Sequence, residues 1–148
     1  MFNRSISILF FVITIVLSGV SCKKKKSQAN TNNPVPSLPV NVKIYPNDPS
    51  YFKLQTIGGW VYINGGINGI IVYRKSNEEF IAIERTSSYY PNNAAAKVFV
   101  QSDNFILRDT VSDSRWQIID ATVTKGPAEW PLRRYGTSYD GSLLNIIN

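Results

Sequence analysis

Few residues in this chain are of the types that catalyse reactions or bind metals. The residue types that are missing exclude more kinds of functional site than the residues that are present indicate. Cys22 is the only cysteine, and histidine is absent. Cys22 directly follows an apolar N-terminal run and so precedes the part of the chain expected to fold. The residues after it therefore supply no thiolate and no imidazole. The sequence therefore predicts no soft-metal site, no disulfide in the folded part, and no cysteine or histidine catalysis.

The carboxylates also give little indication of a catalytic or metal-binding site. Glu78 and Glu79 are adjacent, so on a strand or turn their side chains diverge, and paired general acid and base work is not expected of them. Asp48, Asp103 and Asp109 are interpreted as turn residues rather than calcium ligands, because no compact run of oxygen ligands accompanies them. Since no nucleophile is paired with a base, we expect a protein that is not an enzyme.

Glycines cluster at 58–59 and 65–66, with Gly69 nearby, as they do in loops that cradle phosphate. Such loops lie between a strand and a following helix. Here the apolar runs at 60–63 and 70–73 predict a strand on each side. Turn glycines are therefore the favoured interpretation.

Residues 1–21 have the order of a secretory signal peptide. Arg4 gives a positive start, residues 6–17 are almost all apolar, and the small residues 18–21 end at Cys22. An uncleaved membrane span is the alternative, but the apolar run is shorter than the roughly 20 residues that a bilayer requires. The run before Cys22 resembles a loose bacterial lipobox. That resemblance implies that Cys22 becomes the first mature residue and carries acyl chains such as palmitate.

Charge is distributed unevenly along the chain. The lysines at 23–26 either attract the chain to anionic head groups, by about 1 kcal/mol each, or only keep the linker solvated. Residues 40–148 hold 11 of the 16 Lys and Arg and all 10 Asp and Glu, so the net charge of +6 belongs mostly to the N-terminus. With no basic stripe for phosphate binding, nucleic acid is rejected as a partner. We expect a lipid-anchored envelope protein, on the periplasm-facing side of the outer membrane.

The chain divides after the signal peptide into an acylated, lysine-bearing flexible linker at 22–39 and one domain at 40–148. Short β-branched and aromatic runs broken by turn residues are typical of an all-β domain. Strands are predicted at 40–45, 59–63, 70–74, 80–85, 97–101, 105–108, 115–118, 122–125, 134–139 and 142–146. A helical turn is predicted at 51–54, and Asp140-Gly141 predicts a hairpin with a type I′ turn.

Aromatic side chains are the remaining candidates for contact. Trp60 and Trp116 lie within apolar strands and are expected in the core. Tyr89 and Tyr90 lie in a predicted loop, where large aromatic side chains indicate a contact surface. Further candidates are Trp130, Tyr135 and Tyr139.

Near the C-terminus, the segment Lys-Gly-Pro-Ala-Glu-Trp-Pro-Leu-Arg-Arg-Tyr at 125–135, followed by a strand and Asp140-Gly141, resembles the closing segment of a Rieske iron–sulfur domain. Residues 69–73 and 79–86 resemble the strands that enter the first cluster loop of that family. The resemblance covers nearly all of 40–148 and is strongest to small lipoproteins of Bacteroidetes-type bacteria. It implies a Rieske-like small β-sandwich or barrel of about 8–10 short strands with loop insertions.

Members of that family hold a [2Fe-2S] cluster with Cys-x-His in one loop and Cys-x-x-His in the other. The resemblance places the first pair on Ser87 and Tyr89, and the second on Asp109 and Ser112. A shift of one or two positions changes nothing, because residues 109–115 contain no Cys or His. The oxygen atoms of the serine, tyrosine and aspartate at these four positions are harder ligands than thiolate, and a neutral serine hydroxyl is a poor iron ligand. The resemblance thus implies the fold without its cofactor or any metal.

Three functions are kept open. The first is a membrane-anchored interaction or structural module that presents the two former cluster loops, with Tyr89 and Tyr90, to an unknown protein partner. The second is a Rieske-type electron-transfer protein that borrows ligands from another chain. The third is a carbohydrate-binding envelope module, suggested by the aromatic content and the address.

Overall fold

A computed structural model describes residues 33–148 of the chain. The signal peptide, Cys22 and the lysines at 23–26 precede this range, so the predictions made for them lie outside the described residues. No helix within 33–148 is long and apolar enough to span a bilayer.

The described residues form an all-β fold, as the sequence predicts. All ten predicted strands are present, and one 3-10 helix, Pro49–Gln55, covers the predicted helical turn. The strands are β1 (Asn41–Ile44), β2 (Trp60–Ile63), β3 (Ile70–Arg74), β4 (Phe80–Glu84), β5 (Val98–Val100), β6 (Ile106–Asp109), β7 (Arg115–Gln117), β8 (Val123–Lys125), β9 (Arg134–Tyr139) and β10 (Leu144–Ile147).

The strands make two antiparallel sheets. The larger has six strands in the order β1-β10-β9-β4-β3-β2, and the smaller has four in the order β5-β6-β7-β8. β9 follows β8 in the chain but pairs with β4 in the larger sheet, through Ala82 opposite Tyr135 and Ile83 opposite Arg134. The chain therefore leaves the larger sheet after β4 and returns to it at β9.

The central strands β3 and β4 are buried on both faces. On one face Ile71 and Ile83 pack in a cluster with Leu107 and Trp116 of the smaller sheet. On the other face alternate residues such as Val72 pack in a second cluster, which includes residues of the 3-10 helix, β1 and β10. Burial on both faces explains why 70–73 and 80–83 are continuous apolar runs rather than alternating ones.

The outer strands alternate as expected. Val40 and Ile44 are buried in the second cluster, and Val42 packs against it. In β5, Val98 is fully buried whereas Phe99 is 39 % exposed. The period of two thus assigned the inward faces correctly in both strands.

Contacts with the domain begin before residue 40, where the sequence predicts the domain to start. Val35 is fully buried, and its carbonyl accepts a hydrogen bond from Arg133 Nε at 2.9 Å. Asn33 Nδ2 donates to the carbonyl of Pro131 at 2.9 Å. The end of the predicted linker therefore packs against the segment that precedes β9.

The hairpin predicted at Asp140-Gly141 is present, but its type I′ turn is not. Gly141 has a φ of +96°, whereas Asp140 is not among the residues with positive φ, and a type I′ turn needs both. Strand pairing stops on either side of 140–143. The Asp140 carboxylate accepts hydrogen bonds from the amides of Ser142 and Leu143, at 2.9 and 2.7 Å, which favours this longer connection.

Candidate functional site

Three loops contact one another beside the smaller sheet. They span residues 85–97, 110–114 and 126–133. Ser88 Oγ in the first loop donates to the carbonyl of Trp130 in the third, at 2.6 Å. The amide of Ala128, also in the third, donates to Ser114 Oγ in the second at 3.0 Å. The two loops expected to carry former cluster ligands are thus joined through the Gly-Pro-Ala segment.

A group of hydrogen-bonded side chains, here the polar cluster, lies where the first two loops meet. Asp109 Oδ2 accepts from Ser87 Oγ at 2.8 Å and from Ser112 Oγ at 2.7 Å. Asp109 Oδ1 accepts from the amide of Val111 at 2.8 Å. Ser114 Oγ lies 2.9 Å from Ser112 Oγ and completes the cluster. Ser87, Asp109 and Ser114 are 0 % exposed and Ser112 is half-buried, so most of the cluster is shielded from solvent.

Tyr89 and Tyr90 lie beside the polar cluster but outside it. Each is 41 % exposed, and their rings meet edge to face with centroids 4.4 Å apart. Only the amide of Tyr89 contacts the cluster, by donating to Ser87 Oγ at 3.2 Å. Interaction with Tyr89, and less so desolvation, raises the pKa of Tyr90 above its ordinary value of 10.0. The predicted contact surface is therefore a pair of partly exposed aromatic rings that lie beside the hydrogen-bonded polar cluster.

Three of the four positions on which the resemblance places ligands, Ser87, Asp109 and Ser112, are thus in direct contact, and the side chain of Tyr89 is not. The interpretation of Asp109 as a turn residue was incomplete, since its carboxylate joins two loops as well as capping its own. Ser114 was missed as a member of the cluster. Its only sequence signal was its place two residues after Ser112, which gives no indication of burial.

The residues of the polar cluster do not fit a [2Fe-2S] cluster. A Rieske centre needs two thiolates and two imidazoles, and the four positions on which the resemblance places the ligands, Tyr89 among them, supply two serine hydroxyls, a tyrosine and an aspartate. Asp109 already accepts three hydrogen bonds, which an iron ligand at that position would have to give up. Hard oxygen donors held in this way are poor partners for iron–sulfur chemistry.

The carboxylates of Asp48, Asp103, Glu78 and Glu79 occupy turns and exposed positions. Asp48 caps the 3-10 helix by accepting from the amide of Ser50 at 2.7 Å, and Asp103 accepts from two amides of its own turn. Glu79 forms an exposed ion pair with Lys75 at 2.9 Å, and Glu78 is exposed beside it. Within residues 33–148, no group of three or more Asp, Glu, His or Cys could hold a metal ion.

The glycine loop at 64–69 does surround an anion, but the anion is internal. Glu84 is fully buried, and its carboxylate accepts from the amides of Ile67 and Asn68 at 2.9 and 3.0 Å. Tyr135 Oη also donates to it, at 2.6 Å. Burial, together with this contact, raises the pKa of Tyr135. Strands flank the loop on both sides, as expected for turn glycines.

The tryptophans differ in their surroundings. Trp116 is fully buried and its Nε1 donates to the carbonyl of Trp130 at 3.0 Å, as expected of a core residue. Trp60 packs against the same core cluster as Trp116 but is only half-buried, because β2 is an edge strand. It lines an open cleft of about 370 Å³ with Phe52 and Tyr62. Trp130 is 37 % exposed.

No family model matches the chain, and no curated protein matches it. Among solved structures, the chain is similar to the ferredoxin of carbazole 1,9a-dioxygenase from Nocardioides aromaticivorans IC177. The identity is 17 % and the TM-score is 0.47, over 74 % of this chain and 97 % of that chain.

Proposed function

We propose that this chain is a lipid-anchored protein of the bacterial cell envelope whose Rieske-like domain binds no iron–sulfur cluster and acts as an interaction or structural module. The polar cluster is the observation that carries the proposal. It includes three of the four positions where the resemblance places the metal ligands, and it joins the same two loops by hydrogen bonds instead. A scaffold with this replacement keeps its shape without a cofactor.

The contact surface in this proposal is the pair Tyr89 and Tyr90. Aromatic side chains are enriched at the energetic centres of protein interfaces because they bury much area at little entropic cost. Both tyrosines are partly exposed, and Ser87 Oγ accepts from the backbone amide of Tyr89 beneath them. An anchored domain on a flexible linker would keep this tip near the membrane, within reach of a partner in the same compartment.

Iron and sulfide analysis tests the absence of a cluster. We expect the full-length protein, purified without oxygen, to contain neither iron nor acid-labile sulfide in stoichiometric amounts and to be colourless. Stoichiometric iron and sulfide, with the paramagnetic resonance of a reduced cluster, would instead support the electron-transfer alternative. Iron without sulfide, equally present in an Asp109→Ala variant, would be adventitious and leave the proposal standing.

Site-specific cross-linking in the native membrane tests the tip. A photo-reactive residue in place of Tyr90 should give a discrete adduct that the Tyr89→Ala exchange weakens. The matched control carries the same residue in place of Tyr45, which is 57 % exposed and lies outside the three loops. Identical adducts from both positions, or none from position 90, would overturn the assignment of the tip.

A carbohydrate-binding module is the second candidate, and the cleft beside β2 is the observation that favours it. Phe52 is 66 % exposed there, and the ring centroids of Trp60 and Tyr62 are 4.9 Å apart. Open aromatic clefts of this kind accommodate the apolar faces of sugars. A glycan array tests it: binding lost on Phe52→Ala and kept on Tyr89→Ala would favour this function, and silence would remove it.

A further inference from the structure

Arg85 follows β4 and differs from the buried carboxylates of Glu84 and Asp109 because the described residues use only one of its nitrogens for a hydrogen bond. It is only 8 % exposed, and no carboxylate of the described residues lies within ion-pair distance of it. Its Nε donates to the carbonyl of Val98 at 3.1 Å. Desolvation by burial lowers the pKa of Arg85 from its ordinary value of 12.5. The guanidinium is thus poorly hydrated and still cationic.

Two aromatic rings hold the guanidinium in place. Its Cζ lies 3.7 Å from the ring centroid of Tyr62 on β2 and 5.1 Å from that of Phe99 on β5. Tyr62 is itself fixed, since its hydroxyl accepts from the amide of Val100 at 3.0 Å. Stacking of this kind covers the faces of the guanidinium and leaves its edge free for hydrogen bonds.

The free edge of Arg85 faces an open cleft of about 380 Å³ that is lined by the glycine loop at 64–69 and by Lys97. Within the described part of the chain, the two Nη nitrogens donate to no acceptor. Gly69 lies against this edge, where a Cβ atom would come 3.8 Å from Nη1. The absence of a side chain there keeps the nitrogen uncovered.

Arg74 shows what a purely structural stacked arginine looks like in the same sheet. Its Cζ lies 5.2 Å from the Phe80 ring centroid, and its three nitrogens donate to the carbonyls of Ser76, Leu54 and Asn77 at 2.8–3.1 Å. Its hydrogen-bonding capacity is therefore used by the chain itself. Arg85 has similar stacking but only one such bond.

The charge of the cleft is positive. Lys97 lines it and forms no ion pair with a described residue. Glu84 is adjacent in sequence, but its two oxygens are engaged by the glycine loop, Thr86 and Tyr135 and are not available to Arg85. Two cations therefore line the same cleft without an ion-pair partner among the described residues, and the charge of Glu84 beneath the glycine loop offsets that of Arg85 only in part.

We propose that this cleft binds an oxyanion group, a carboxylate or a phosphate, through a two-point contact with the Nη nitrogens of Arg85 and a charge contact with Lys97. The guanidinium fork matches two oxygens of either group, and its fixed position lowers the entropy lost on binding. The site does not depend on Tyr89 and Tyr90 or on the proposed function.

Titration of the full-length protein in an uncharged detergent tests this site. Sodium phosphate and sodium glutarate are added separately, with sodium chloride at equal ionic strength as the reference, and binding is followed by calorimetry. Arg85→Lys keeps the charge but loses the fork, and should weaken binding about tenfold or more. Lys97→Gln should weaken it by about threefold. Lys43→Gln, the matched loss of charge on exposed β1, should leave the affinity unchanged.

Saturable binding of phosphate alone, of glutarate alone or of both supports the site and identifies the oxyanion it prefers. No saturable binding beyond the chloride reference overturns it, as does an Arg85→Lys variant with wild-type affinity. If circular dichroism shows that Arg85→Lys is unfolded, the proposal is tested instead by comparing the affinities of Lys97→Gln and Lys43→Gln. Equal affinities of Lys97→Gln and Lys43→Gln would then overturn the proposal.

Discussion

Ser87 Oγ donates a hydrogen bond to Asp109 Oδ2 at 2.8 Å, and this bond joins two loops across 22 positions of the chain. Both residues are fully buried. Ser112 and the amide of Val111 complete the hydrogen bonds of the carboxylate. A buried charge is tolerated only when it is well supplied with donors, and Asp109 obtains its donors from the loops that it connects. This carboxylate therefore organises the region.

Replacement of Asp109 by alanine should destabilise the domain by about 2–4 kcal/mol, because Ser87 and Ser112 then lose their acceptor inside the protein. The Asp109→Asn exchange retains one acceptor oxygen, so it should cost less. Urea denaturation followed by the fluorescence of buried Trp116 measures both losses.

Asp103→Ala is the control for that experiment. Asp103 also accepts two hydrogen bonds, from the amides of Phe105 and Ile106, but it is exposed. Water can replace its carboxylate, so its removal should cost less than about 1 kcal/mol. Similar losses for the two alanine variants would contradict a central role for the buried carboxylate.

The strands could be predicted because each carries its own local signal. Continuous apolar runs marked the doubly buried β3 and β4, and alternation marked β1 and β5. The correspondence of Ser87 with Asp109 came from a family resemblance and not from periodicity, which contains no information on contacts between distant loops.

The remaining features depend on long-range packing that a single sequence does not encode visibly. Glu84 looks like an ordinary polar residue at a strand end, and only the fold reveals that the glycine loop surrounds it. Arg85 follows it with no sign that two rings, from Tyr62 on β2 and Phe99 on β5, lie against its guanidinium. The partial exposure of Trp60, which packs against the core, was not foreseen for a related reason: the order of strands in a sheet, which makes β2 an edge, is not a local property.

Gly66→Ala should destabilise the domain by more than about 3 kcal/mol, since it adds both backbone strain and a collision. Gly66 has a φ of +60°, and a Cβ atom there would lie 2.0 Å from Glu84 Oε2 and 2.4 Å from Tyr135 Oη. The added methyl group would displace the buried carboxylate from its donors. Chemical denaturation measures the change in the free energy of unfolding.

Gly141→Ala separates strain from collision. Gly141 also has positive φ, at +96°, but nothing lies within 4 Å of a Cβ atom built there. Its replacement should therefore cost only about 1 kcal/mol. If Gly66→Ala costs no more than Gly141→Ala, the glycine loop does not enclose Glu84 as described.

Asp113 should make the free energy of unfolding depend on pH in the acid range. Arg108, Arg115 and Lys125 lie opposite one another across β6, β7 and β8, and Asp113 contacts all three. The hydrogen bond from Lys125 and the charges of Arg108 and Arg115 lower the pKa of Asp113 from 3.8 to about 2. A lowered carboxyl pKa stabilises the fold above its unfolded value, and the effect is lost as pH falls through the folded value.

The Asp113→Asn variant should therefore be less stable than the wild type by a constant amount above about pH 5 and approach it between pH 4 and about pH 2. The difference at pH 6 should also shrink in about 1 M salt, which screens exposed charges. Urea midpoints at several pH values measure both trends. A difference that persists unchanged to pH 2 would show that Asp113 does not act through its charge.

Cys22→Ala should release the protein from the membrane if Cys22 is acylated. Because stable attachment needs more than one acyl chain, loss of the modified residue leaves only the lysines at 23–26, whose attraction to anionic lipid is salt-sensitive.

Labelling with an alkyne-tagged palmitate measures acylation of the chain, and fractionation in high salt measures its attachment to the membrane. The wild type and a variant with glutamines at 23–26 should both be labelled and sediment with membranes, whereas Cys22→Ala should be unlabelled. Salt-resistant sedimentation of an unlabelled Cys22→Ala chain would instead favour an uncleaved apolar span at 6–17.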